Sequence, residues 1–216
     1  FMHLKELFDL SHTGAAALLL AHAYPWQALA ELDAFILKGE RSGYEQCGEG
    51  IWIHKTAKVA PTACINGPCV IGAGSEVRHC AFIRGRAFIG EGCVIGNSSE
   101  LKNVILFDGV QVPHYNYVGD SILGYRAHMG AGAITSNVKS DKSPVAVHWG
   151  GECIATGMKK VGAMIGDHAE IGCGCVLNPG TVVGRGAVVY PLCSVRGEVA
   201  ENCIYKGEGK VVLKRK

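Results

Sequence analysis

From Ile53 onward an aliphatic or aromatic residue recurs at every sixth position: Ile53, Val59, Ile65, Ile71, Val77, Ile83, Ile89, Ile95, Leu101 and Phe107. Four residues after each of the first eight stands a small one: Ala57, Ala63, Cys69, Ser75, Ala81, Ala87, Cys93 and Ser99. The pattern returns at Leu123 and Met129, and again through Ile165, Ile171, Leu177, Val183, Val189 and Val195. A period of six suits neither a helix (3.6) nor an alternating strand (2). It predicts an all-β solenoid of triangular section, with three hexads per coil. The large aliphatic fills the prism and the small residue rounds a corner. The IG steps, such as Ile71-Gly72 and Ile89-Gly90, supply permissive backbone beside those corners. Each coil buries its apolar surface only against its neighbours.

Two stretches break the pattern. Across residues 108–122 the phase is lost, since the step from Phe107 to Leu123 is not a whole number of hexads. The segment VPHYNYVGDS within it reads as an aromatic-rich bulge. Residues 136–164 read as a polar, Lys-bearing loop insertion. Ahead of the repeat, residues 3–39 read as helices, with Pro25 opening a second amphipathic run. The division expected is a helical segment over 1–50, a β-helix over 51–200 and a solvated tail over 201–216 ending Lys214-Arg215-Lys216.

Composition changes the picture little. The 216 residues are 48% hydrophobic, with a formal net charge of +2, which gives no electrostatic case for a nucleic-acid partner. No apolar run is long enough to cross a bilayer, and the start lacks the marks of a signal peptide, so a cytoplasmic protein with no membrane contact is expected. Ten cysteines are many, but four (Cys69, Cys93, Cys175, Cys193) occupy the small-residue column, which explains them as reduced packing residues.

Some residues could carry chemistry. Arg84 and Lys102 each follow an inward aliphatic and lie three hexads apart, one coil, so they should stack on one outer face. Together they could grip a phosphate, or they could merely pair with carboxylates such as Glu100. His114 could accept a proton from an amine near neutral pH, with Asp120 and Glu100 as candidate orienting carboxylates. Gly130-Ala131-Gly132 is either another corner or a smooth groove for an extended ligand.

The run GNSSELKN…VPHYNYVGDSILG…HMGAGAITSN resembles the acetyltransferase half of bifunctional sugar-1-phosphate nucleotidyltransferases, hexapeptide-repeat acyltransferases of UDP-N-acetylglucosamine synthesis. The likeness spans roughly residues 24–200, including a linker-like Tyr24-Pro25-Trp26 and GMKKVGAMIGDHAEIGCGCVLNPGTVVG. It implies a left-handed parallel β-helix, a homotrimer with sites between subunits, and acetyl-CoA as acyl donor with no metal. It implies His114 as catalytic base, Arg84 and Lys102 binding the sugar phosphate, Tyr117 positioning the sugar, Asn137 as a further substrate-site residue, and Ala131 and Cys173 at the cofactor. His128, where much of the family has Asn, joins the substrate-binding set. Family lysines are replaced by Ser143 and Ala146, and the nucleotidyltransferase half is expected to be absent. The activity implied is N-acetylation of an amino-sugar phosphate or nucleotide amino sugar. Alternatives are a scaffold subunit whose pocket no longer catalyses, and a zinc enzyme resembling γ-class carbonic anhydrases, for which His79 and His114 are nearly suitably spaced but Gly119 stands at the third ligand position.

Overall fold

A computed structural model describes residues 2–38 and 41–214. Residue 39, where the expected helical stretch ends, and Arg215 and Lys216 of the tail lie outside the described residues. From Ile51 the chain winds into a parallel β-helix with three faces. The first face stacks Ile51–His54, Cys69–Ile71, Ala87–Ile89, residues 104–106 and 121–123, Ala163–Ile165 and Thr181–Val183. The second stacks Cys64–Ile65, Phe82–Ile83, residues 100–102 and 117–119, Ile134–Thr135, Val176–Leu177 and Ser194–Val195. The third runs from Lys58–Val59 through Val94–Asn97, Gln111–His114 and His128–Met129 to Cys203–Tyr205. From Ile71 through Leu101, and again from Leu123 through Val195, the predicted column is buried. Its small partners from Cys69 to Ser99 are buried too. Val59, in the first coil, is exposed because its strand is the edge of its face among the described residues.

The phase break is a shortened coil, not a bulge. Ile83 pairs with Leu101, three full hexads on, but Ile89 pairs with Leu106, one position short of that interval. The coil therefore sheds a residue between Leu101 and Val104. Val112 and Val118 then continue the interior, in register with Ile95 and Leu101. Phe107 leaves the inward column as a result. It is buried against Phe8, ring centroids 5.1 Å apart. The IG glycines also have a different reason from the one expected. Their φ is not positive, but a Cβ on Gly72 would run into the Gly90 carbonyl, so the coils can stack only with hydrogen there. The left-handed corner positions come two residues later and include Cys80, Ser98, Tyr115 and Leu192.

The outward residues of the first face, Val70, Phe88, Ile105, Ile122, Met164 and Val182, are apolar and buried. The N-terminal segment covers that face. Helices α1 (Met2–Leu7), α2 (Ala16–Leu20) and α3 (Leu32–Leu37) alternate with short 3-10 turns. Phe35 packs on Phe88, and Trp26 on Trp149 of the hairpin Ala146–Trp149/Glu152–Ala155 that fills the insertion. Tyr24-Pro25-Trp26 is thus a packed element rather than a linker. Polar clamps fix the cover: Asp167 accepts a hydrogen bond from the Asp9 amide at 2.7 Å, and Arg86 pairs with Asp33 at 2.9 Å.

Both expected boundaries shift. Tyr44–Gly48 is a strand pairing back on Ile51–His54, not helix. Beyond residue 200, Cys203–Tyr205 continues the third face and Val211–Leu213 folds back antiparallel on it, capping the last coil. The apolar edge of a final coil needs such a lid, so most of the tail is structure.

Candidate active site

At the corner between the second and first faces, Asn103 and Asp120 adopt left-handed backbone. That turns the Asp120 carboxylate in beside the outer edge of the second face, where it is 3% exposed. It accepts from Lys102 Nζ at 3.0 and 3.1 Å, from Asn103 Nδ2 at 2.7 Å and from Asn137 Nδ2. Asn137 also donates to the Tyr117 hydroxyl at 3.3 Å. Burial first, and then the Asp120 charge, push the Tyr117 phenol above its ordinary value, so it stays a neutral hydroxyl. Arg84 lies one coil below Lys102 and pairs with Glu100 at 2.8 Å. The structure thus brings Arg84, Lys102, Tyr117 and Asn137 together, with each cation already matched to a carboxylate.

His114 lies round the other corner, at the end of the third face. Parallel register stacks Asn97, His114, Ala131 and Cys173 on successive coils: His114 pairs with Asn97, the Gly132 amide donates to the His114 carbonyl, and the Gly174 amide donates to Ala131. The imidazole is exposed and, among the described residues, has no hydrogen-bond partner. Glu100 and Asp120 are taken by Arg84 and Lys102, so neither orients His114. The backbone amides of Ala131 and Cys173 make no hydrogen bond among the described residues. Asn116, which the sequence did not single out, sits in the small-residue column. Its amide nitrogen donates to the Gly130 and Ala133 carbonyls and its oxygen accepts from the His114 amide, which locks this corner. Asp120, expected as an orienting carboxylate for His114, is instead the common acceptor for Lys102, Asn103 and Asn137.

His128 is elsewhere. It lies on the third face, bonded to Glu170 at 2.8 Å, and lines a cleft of about 820 Å³ with Asp108, Tyr125 and Arg126. In the insertion, Lys139 bonds Ser143 at 2.6 Å, and Ala146 begins the hairpin. Among the described residues no three His, Cys, Asp or Glu side chains of one chain converge on a metal-sized site. No helix there is long and apolar enough to cross a membrane.

The family model described as the GMPPB C-terminal domain matches residues 65–149. The bifunctional protein GlmU of Methanococcus aeolicus is 31% identical over 211 residues, covering 89% of this chain and 48% of that protein. The bifunctional sugar-1-phosphate nucleotidylyltransferase/acetyltransferase of Sulfurisphaera tokodaii is 33% identical over 106 residues, 49% of this chain and 26% of that protein. The chain covers less than half the length of either relative. Among solved structures, a putative acetyltransferase from Bacillus cereus superposes with a TM-score of 0.43 at 19% identity, covering 77% of this chain and 78% of that one. The six-residue repeat is wound into a parallel β-helix, the fold of hexapeptide-repeat proteins, and the sequence is similar to the bifunctional GlmU-type proteins over part of their length.

Proposed function

We propose that the chain is an acetyl-CoA-dependent N-acetyltransferase acting on an amino-sugar phosphate or a nucleotide amino sugar. One observation carries the reading. A single corner holds the unpartnered His114 imidazole beside the free amides of Ala131 and Cys173, and the Tyr117, Lys102 and Asn137 cluster begins three residues further on. His114 takes a proton from the neutral acceptor amine as its nitrogen attacks the thioester carbonyl. The free amides suit the oxyanion that develops there. The carbon–sulfur bond then breaks, and the CoA thiolate leaves with the proton held on His114. Arg84, only half enclosed, can leave Glu100 for a phosphate, whereas Lys102 is held to a buried partner. Among the described residues, the second and third faces lack the cover that occupies the first, which suits a homotrimer packed on them, with this corner beside a neighbouring copy.

The internal charge pairing of both cations favours a second reading, a scaffold subunit that binds sugar without turnover. The zinc reading loses support, because both ring nitrogens of His79 face other partners, Thr62 and Cys80. Release of free CoA across a panel of amino-sugar phosphates and nucleotide amino sugars tests the proposal. Turnover of one class is expected; no CoA release with any of them leaves the scaffold.

A further inference from the structure

One constellation lies outside the site above. Cys80, in the left-handed corner of an early coil (φ 56°), is exposed, and its Sγ is 3.3 Å from His79 Nε2. On the coil below, Thr62 Oγ1 is 2.7 Å from His79 Nδ1. With the Nδ1 proton donated to Thr62, the Nε2 lone pair faces the thiol. Nucleophile, base and orienting group then lie in hydrogen-bond sequence. A further observation is independent of this chain of contacts. At the equivalent corner of later coils the left-handed residue's amide is consumed: Ser98, Tyr115, Gly132, Gly174 and Leu192 each donate to the carbonyl of the coil below. The Cys80 amide, among the described residues, makes no such bond. It therefore remains a free donor beside the sulfur that would attack, the place an oxyanion donor must occupy.

We propose that Cys80, His79 and Thr62 form a second nucleophilic centre that accepts an acyl group from a thioester. The choice of thioester rests on the acyl-donor reading above; the nucleophile does not. His79 sits in the same corner column as His114, two coils away, or ~10 Å along the axis. A thioester lying along that corner is within reach of both. In the step, the Cys80 proton passes to His79 Nε2 and the thiolate attacks the carbonyl carbon. The Cys80 amide holds the oxyanion, the donor's carbon–sulfur bond breaks, and the leaving thiolate takes the proton back from His79. The products are acyl-Cys80 and the free thiol of the donor.

The test uses the full chain with S-phenyl thioacetate, a small thioester that needs neither a CoA site nor an amine acceptor. Acetylation of each cysteine is followed by peptide mass spectrometry. Cys80 is expected to acetylate faster than the other exposed thiols, Cys47, Cys64, Cys153 and Cys173. His79→Ala is expected to slow it about 10²-fold, and Thr62→Val to slow it less, with circular dichroism unchanged. Equal rates at all five thiols, or a Cys80 rate indifferent to His79→Ala, overturns the proposal. CoA release with the best amine acceptor, run in parallel on Cys80→Ser, keeps the two readings apart. That variant is expected to turn over normally while losing the acetylated peptide, and its loss of turnover would instead merge Cys80 into the main site and overturn its separateness.

Discussion

Asp120 illustrates how one residue can matter in two ways. Its carboxylate is the common acceptor for Lys102, Asn103 and Asn137, and it is almost wholly buried. Asp120→Ala leaves a partly buried ammonium and two amides without their acceptor, and should cost about 3 kcal/mol, read as a lower urea midpoint. A change under about 0.5 kcal/mol would mean that water replaces the carboxylate freely. His114 is the contrasting case, exposed and structurally idle. His114→Ala should leave the urea midpoint unchanged and lower turnover of the best acceptor ~10²–10⁴-fold. A folded variant working at the parent rate would remove the base from this corner. Because Lys102→Ala uncovers Asp120, its effect on acceptor binding must be read against its loss of stability.

At the scale of elements, the N-terminal segment is tied to the β-helix through Asp167, with the Asp108 amide donating to the His12 carbonyl nearby. Asp167 accepts from the amides of Asp9 and Tyr125, and its own amide donates to Leu7. Burial, the largest influence, raises its affinity for a proton above that of an ordinary carboxyl, although both hydrogen bonds oppose the shift. A raised native value means the folded state holds the proton more tightly than the unfolded chain. The associated stability is present below the unfolded value of ~4 and is lost as pH rises through the raised native one. Asp167→Asn should therefore flatten the fall in unfolding free energy over that window, measured by urea titration at several pH values. Asp108, raised by burial in the same sense, keeps its own share of the slope in that variant. An unchanged slope would assign the effect to Asp108 or another group.

For the molecule as a whole, the asymmetry of the prism is decisive. One face has an apolar exterior hidden by the chain's own N-terminal segment, and the other two present the candidate residues. Deleting residues 2–38 should bare Phe88, Ile105, Ile122 and Met164 and drive the β-helix into aggregates, followed by sedimentation. A soluble, folded remainder would show that something else can cover the face. If the open faces pack as proposed, light scattering of the full chain should give the mass of three copies. A stable monomer at micromolar concentration would dismiss the shared corner.

The repeat was legible because a solenoid is nearly one-dimensional. Each coil contacts only its neighbours, so a six-residue period in Ile71, Val77 and Ile83 writes the interior directly into the sequence. The small-residue column, with its buried cysteines, was legible for the same reason: the Cys69 and Cys93 thiols are pushed up to about 12, by burial above all. Period alone could not say where a coil loses a residue. Leu106 and Phe107 are both large and apolar, and only the register chooses Leu106 for the interior and sends Phe107 to Phe8. Nor could spacing pair the charges. Whether Lys102 meets an anion or Asp120 depends on a left-handed corner at a non-glycine residue, a backbone choice that the packing of neighbouring coils imposes. The chain's own pattern determined the prism. Its covered face, its paired cations and its free imidazole were decided by contacts between coils, and between the coils and the segment that precedes them, because those contacts join residues that no fixed interval relates.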